Sequence, residues 1–295
     1  VYADACSGRS AVRGKIFIDA TGDANLADCA NVPYEKGDPS GLMQFPTMMF
    51  RVVGVDNERA EREGIPRLRE LMLEAEAEGS HQFPRLAAIV RPQPHYGEWR
   101  VNMTRISRDG EIIDGTLRED LTFAEIEGRR QVEAAALFLR ERVAGFENSY
   151  IIDTPAQVGI RETRRIVGEY QLTEQDVLGG TQFPDVIGCN PWPIERHGPD
   201  REIRWEWIPG KGYHQIPYRS LLPKGINNML VAGRCISATS LAQSAIRVSG
   251  PCFVTGQAAG IAAALCIKKN GSLARPDMDE FHAELEREGA FMGDF

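Results

Sequence analysis

The apolar positions of this 295-residue chain change period several times. A continuous apolar run, Ile16-Phe17-Ile18, follows Lys15 and leads into Asp19-Ala20-Thr21-Gly22-Asp23, which predicts a buried strand ending in a turn. Near the other end, Met229-Leu230-Val231-Ala232 repeats the pattern and closes on Gly233-Arg234. Both strands run to a glycine, where backbone can approach a neighbour with no Cβ in the way. Ahead of the first, Val1 to Cys6 and Ser10 to Gly14 flank Ser7-Gly8-Arg9 and read as a β-hairpin. Residues 24–35 read as a short helix ended by Pro33.

Between Gly37 and Gly225 the pattern is mixed. Phe45 to Val55 is a strand candidate, and Trp99 to Ile106 alternates like a half-buried strand. Asn57 to Glu78 is helical: Ile65, Leu68, Leu71, Met72 and Ala75 share a face, Pro66 suits a first turn and Gly79 a stop. Thr122 to Val143 is a second amphipathic helix, with Thr122 as N-cap and Glu125 three residues on. Residues 180–213, rich in Pro, Gly and Trp, have little periodicity and read as an irregular binding loop or crossing segment. Pro251 opens a last helix. Gly256 and Gly260 stand four apart in it among alanines, and Lys268-Lys269-Asn270-Gly271 ends it.

The fold class this predicts is α/β (mixed α+β). Both chain ends, residues 1–36 and 226–272, would complete one partial Rossmann-like nucleotide-binding layer. An inserted α+β substrate or cap domain would occupy 37–225, and 273–295 would be a C-terminal tail.

Charge and cysteine usage narrow the function. A net charge of −8 with no basic tract argues against a nucleic-acid or anionic-membrane partner. The longest small-apolar run, Ala258 to Ile267, contains Gly260 and is too short to span a bilayer. The six cysteines, at 6, 29, 189, 235, 252 and 266, form no C-x-x-C pair; they read as scattered reduced thiols of a cytoplasmic protein. A first residue already inside a strand makes the chain read as a fragment of a longer protein. There is no G-x-S-x-G elbow and no P-loop, so hydrolase and NTPase readings have no support.

Several groups are candidates for chemistry, each with a plainer alternative. The glycine-rich C-terminal helix would suit a ligand edge at its N-terminus, or tight helix–sheet packing. Arg161, Arg164 and Arg165 fall within five residues, and on a helix Arg161 and Arg165 would share a face and clamp a carboxylate. Ion pairs with Glu162 and Glu169 are the alternative. His197 would transfer a proton, or stand exposed in its loop; His214 is a weaker candidate of the same kind. Trp192, Trp205, Trp207 and Tyr213 would form a stacking wall, or, for at least two of them, core plugs.

As a set, these segments resemble the FAD-dependent oxidoreductases of the glutathione-reductase-like superfamily, nearest the group related to fumarate reductase flavoproteins. In that family a strand ending in Asp-Ala-Thr-Gly-Asp passes beside the adenosine half of FAD, and Ile18 to Asp23 match it. A later strand ending in Ala-Gly-Arg and a Gly-Gln-Ala-Ala-Gly helix flank the ribityl chain and flavin ring; Ala232 to Arg234 and Gly256 to Gly260 match these. Gly159 to Gly168 and Ile216 to Pro223 also look like family segments, and the likeness runs to about residue 270. The resemblance implies FAD as cofactor, with Thr21, Gly22, Asp23, Gly233, Arg234, Gly256 and Gln257 beside it. It places Arg161 and His197 on the substrate side, since such relatives use arginines beside the flavin. The family often carries an Asp and a His two residues apart where this chain has Glu195 and His197.

One family element, the N-terminal G-x-G-x-x-G that cradles the pyrophosphate, does not occur, so the chain reads as most of such an oxidoreductase lacking its N-terminal nucleotide-binding segment. The implied activity is flavin-mediated redox of a small, anionic organic substrate, with no nucleic-acid or membrane partner and a homo-oligomer left open. The alternative is a non-catalytic binding or assembly subunit that keeps the flavoprotein fold and holds no flavin.

Overall fold

The two glycine-terminated strands pair with each other. In a computed structural model describing residues 1–197 and 200–294, Phe17–Asp19 and Met229–Val231 lie parallel, in register Phe17 to Met229 and Asp19 to Val231. Their ladder continues at both ends, where Phe17 N donates to the Asn228 carbonyl and Ala232 N to that of Asp19, each at 2.9 Å. Short parallel strands need cover on both faces. Met229, Leu230 and Val231 lie in one core with Ala258, Ala259 and Ala262 of the helix Ser249–Lys269.

Two compact units result. Unit 1 gathers Val1–Lys36, Arg164–Ile194 and Glu206–Phe295; unit 2 holds Gly37–Thr163 and Glu195–Trp205. The expected boundary at 225 therefore moves. Residues 164–194 and 206–225 belong with the chain ends because Ile166, Leu172, Val186, Ile187, Ile216 and Leu221 are buried in the same core as Leu230. The C-terminal segment is part of that core too. Phe281 and Leu285, on the helix Met278–Arg287, are fully buried in it.

Within unit 1 the N-terminal hairpin forms, Tyr2–Ala5 against Gly8–Ala11, with its turn at Cys6-Ser7, one residue earlier than expected. The helix expected over 24–35 shortens to Asn25–Cys29, because Tyr34–Lys36 leaves to pair with the strand Arg164–Ile166. Residues 180–213 are more regular than their composition implied. Val186–Asn190 pairs antiparallel with His214–Pro217, and Ile194–Arg196 pairs with Arg204–Glu206. The periodicity was hidden because these strands are short and several are buried on both faces. The aromatic residues there do not plug the core: Trp192 and Trp207 are exposed, and Trp205 and Tyr213 half-buried.

The glycine-rich helix expected from Pro251 begins at Ser249, so Gly256 lies inside it and not at its start. Its apolar stretch is longer than Ala258 to Ile267. The whole helix is long and apolar enough to cross a membrane, by length and composition alone, because Gly, Thr and Ser at its N-terminal end do not interrupt it. A third of its most apolar window is buried in unit 1.

Unit 2 is built on a four-stranded antiparallel sheet in the order Ile89–Pro92, Trp99–Asn102, Phe50–Val53, Tyr150–Asp153. The helix Ile65–Ala77 buries Leu68, Met72 and Ala75, the face its sequence predicted; a π-helical turn, Ala60–Gly64, precedes it. The helix Arg118–Arg142 starts four residues before Thr122 and buries Ala124, Val132, Phe138 and Leu139 in the same core as Phe50, Val52, Trp99 and Val101. Thr122 is therefore no N-cap. Its hydroxyl donates back to the Arg118 carbonyl, and Glu125 accepts from Val158 N at 2.5 Å.

Candidate functional site

Asp19 organises the first candidate turn. Its carboxylate is buried and accepts from Thr21 N at 3.0 Å, Thr21 Oγ1 at 2.7 Å and Ala27 N at 2.8 Å. Thr21 Oγ1 in turn accepts from Asn25 N at 3.0 Å. These bonds fold the chain back at Gly22, whose φ of +79° lies in the left-handed region. A Cβ on Gly22 would sit 2.9 Å from Arg234 Nη2. That guanidinium reaches Asp23 Oδ1 at 2.5 Å, tying the first turn to the second. Gly233, at φ +84°, donates its N–H to Thr255 Oγ1 at 3.0 Å, which sets the second turn on the helix Ser249–Lys269.

Thr21, Gly22, Asp23, Gly233 and Arg234 thus lie together in unit 1. Arg164 joins them: its Nη1 donates to the Asp23 carbonyl and Asn25 Oδ1, both at 3.1 Å, and its Nη2 pairs with Asp28 at 2.9 Å. Sequence reasoning had grouped Arg164 with Arg161. Gly256 and Gln257 stand apart from the turns. Gly256 is exposed with nothing within 4 Å of the position a Cβ would take, and Gln257 donates its amide to the Glu288 carbonyl at 3.1 Å, pinning the C-terminal helix.

The arginine cluster is not helical. Residues 160–163 are irregular and Arg164–Ile166 is a strand, so Arg161 and Arg165 share no helical face. Arg165 is buried in unit 1, with Nε donating to the Ala238 carbonyl at 2.9 Å. Arg161 is buried in unit 2, donating to the Phe45 carbonyl, while Glu162 beside it accepts from Gln44 N at 3.1 Å.

The structure does bring Arg161 together with His197. Both line a narrow crevice in unit 2 with about 10 Å³ of open space, room for about one water molecule, together with Phe45, Arg85, Thr104, Arg105, Arg201 and Glu202. His197 is buried rather than solvent-exposed, and its Nε2 lies 2.9 Å from Glu195 Oε1, a pairing that the shared strand end enforces. Arg105 lies over the Phe45 ring, 3.9 Å from its centroid. Burial pushes Arg85 down to about 10. Arg85, Arg105 and Arg201 were not visible as candidates, since they are scattered in sequence and carry no shared spacing. His214 is a packed core residue of unit 1, receiving Asn190 Nδ2 on Nε2 at 2.9 Å and donating from Nδ1 to the Gln215 carbonyl at 3.1 Å.

A family model described as FAD dependent oxidoreductase matches residues 1–285. The chain belongs to that FAD dependent oxidoreductase family. Its cofactor is FAD. No curated protein and no solved structure matches the chain. In this FAD dependent oxidoreductase the residues of the paired turns fit a polar ligand. Two left-handed glycines leave the backbone open, and Arg234 Nε is buried with no hydrogen-bond acceptor among the described residues. At Gly256 and Gln257 nothing comparable points to a ligand.

Proposed function

We propose that this FAD dependent oxidoreductase carries out flavin-mediated oxidation or reduction of a small organic substrate of anionic character. The observation that carries the reading is the parallel pairing of Phe17–Asp19 with Met229–Val231, which gathers Thr21, Gly22, Asp23, Gly233 and Arg234 into one polar turn cluster in a chain of an FAD-using family. These residues would hold the cofactor, and FAD supplies the hydride acceptor or donor when bound.

The remaining chemistry belongs to side chains in unit 2. His197 holds or releases a proton, and the Glu195 carboxylate 2.9 Å from its Nε2 orients the ring. Arg161 offers a guanidinium for a substrate anion, held in place through its bond to the Phe45 carbonyl.

The test is the visible absorbance of the protein expressed from its full reading frame, before and after adding FAD. A flavin band is expected, and Arg234→Met should weaken FAD binding as read by quenching of flavin fluorescence. A protein that shows no flavin band even with added FAD would sink the reading in favour of a flavin-free binding subunit. Arg161→Lys should keep fold and flavin but lose turnover, because Lys lacks the planar two-point contact. Wild-type turnover in that variant would remove Arg161 from the site.

A further inference from the structure

A cavity of about 470 Å³ opens in unit 2 between residues 80–84 and the helix Arg118–Arg142. It shares no lining residue with the Arg161–His197 crevice; Pro84 and Met103 line the cavity, and their neighbours Arg85 and Thr104 line the crevice. A space of that size is in the range of small-molecule sites. The helix leaves it open because Ala134 and Ala135 face it, where larger side chains would fill it. The opposite wall is held by its backbone. Ser80 N and His81 N both donate to the Ala75 carbonyl, at 3.0 and 3.3 Å, and Phe83 N donates to Glu76 Oε1 at 3.1 Å.

One side of the lining is aromatic. The Phe83 ring stands edge-on to Phe138, with centroids 4.7 Å apart, and the His81 ring packs edge-on to Phe138 at 5.4 Å and nearly parallel to Phe83. Met103 is buried beside them and adds a polarisable sulfur. At the other end, Glu127 and Arg130 pair with each other at 2.7 Å, and Gln131 donates to the same carboxylate at 2.8 Å. Their charges cancel, so the lining favours a neutral ligand with a flat apolar body. His81 adds a polar requirement. Ser80 Oγ donates to the Ala75 carbonyl at 3.1 Å, so its 3.3 Å contact with His81 Nδ1 runs from Nδ1–H to the hydroxyl oxygen. Nε2 of the neutral ring is then an acceptor. The side chain is 10% exposed, and Nε2 is buried with no hydrogen-bond partner among the described residues. The Glu141 carboxylate, 3.9 Å away, is beyond hydrogen-bond reach and is itself an acceptor. A buried acceptor left unmet is unfavourable, and an N–H or O–H group satisfies it.

We propose that this cavity binds a small neutral aromatic molecule carrying an N–H or O–H donor, its ring packed on Phe83 and Met103 and its donor directed to His81 Nε2. The site does not depend on the flavin reading.

The experiment is a saturation-transfer NMR titration of the purified protein with indole. Benzofuran, the same shape without the N–H, and sodium benzoate, an aromatic anion, are titrated in parallel. Saturable indole binding is expected, with benzofuran weaker by roughly fivefold, the scale of one net hydrogen bond. Ala134→Trp, at an exposed helical position, fills the cavity and should abolish indole binding while leaving the circular dichroism unchanged. His81→Phe keeps a ring but removes the acceptor, so it should bring indole down to the benzofuran level and leave benzofuran itself unchanged. If His81→Phe does not fold, the indole–benzofuran difference in the wild-type protein decides the role of Nε2. Absence of saturable indole binding, equal affinity for indole and benzofuran, benzoate binding tighter than indole, or wild-type affinity in folded Ala134→Trp would each overturn the proposal.

Discussion

Replacing Gly22 by Ala perturbs the paired turns at one point whose consequences separate cleanly. At φ +79° any L side chain is strained, at roughly 1–2 kcal/mol, and the lower entropy of the unfolded Ala chain offsets about 0.4–1 kcal/mol of that. The new Cβ would also lie 2.9 Å from Arg234 Nη2 and 3.0 Å from its Cζ. Arg234 must then move, loosening its 2.5 Å contact with Asp23. That pair is about a quarter exposed, so its loss is discounted to about 1 kcal/mol or less. Gly22→Ala should cost about 1–2 kcal/mol in all. Gly233→Ala is the control. Its φ of +84° carries the same strain, but its nearest neighbour would be Cys252 Sγ at an ordinary 3.8 Å, so it should cost about 1 kcal/mol. Urea unfolding followed by circular dichroism measures both. In the double variant Gly22→Ala with Arg234→Met, the clash is gone and the two losses should be less than additive. Gly22→Ala no worse than Gly233→Ala, with strictly additive losses in the double variant, would refute the role given to Arg234.

Other variants test other parts of the structure. Gly256→Ala meets open space on an exposed helix face and should stabilise the protein by about 0.5–1 kcal/mol in the same urea assay; destabilisation would mean that this face is covered. Met72→Ala empties a fully buried position in unit 2 and should cost about 2–5 kcal/mol, and a loss under 1 kcal/mol would contradict that packing. Burial pushes His214 down to about 4, so the fold favours the neutral ring. The unfolded chain then binds the extra proton first: this stability is complete above about pH 6.5 and falls as pH drops toward 4, by about 3 kcal/mol. His214→Gln should flatten that part of the pH–stability curve, and an unchanged slope would place the titration elsewhere.

Elements with one buried face were the most legible. The Ile65–Ala77 helix buries Leu68, Met72 and Ala75 because their 3.6-residue spacing can be satisfied in only one way against a sheet. Caps and ends were read less well. Thr122 had the chemistry of an N-cap, but the helix starts at Arg118 without a side-chain cap, and Asp114 and Asp120 order the loop before it: Asp114 Oδ1 accepts from Thr116 N at 2.9 Å, and Asp120 Oδ2 from Asp114 N at 2.9 Å. The chain turns earlier, and the helix gains a turn. The strands Val186–Asn190 and His214–Pro217 were hidden for a different reason. Val186, Ile187 and Gly188 are buried in succession, as are all four residues of the second strand, so no alternation marks them.

The two candidate sites differ in legibility because they are assembled differently. The first turn is local: Asp19 folds its own neighbours through Thr21 and Ala27, so five consecutive residues carry most of its geometry and a short pattern can announce it. Its partner needs only a strand that ends in glycine, and Arg234 then closes the distance to Asp23. The crevice in unit 2 has no such local grammar. Arg85, Arg105, Arg161 and Arg201 come from four separate segments, and each guanidinium is held by a different partner: a backbone carbonyl and an amide, an aromatic ring, another carbonyl, a carboxylate. Long side chains with three or more torsions reach a common point from many backbone positions, so no spacing in sequence is required and none is found. What singles out the crevice is visible only in three dimensions: four guanidinium groups line one narrow space, and Arg85 and Arg201 each bury an N–H group that meets no acceptor among the described residues.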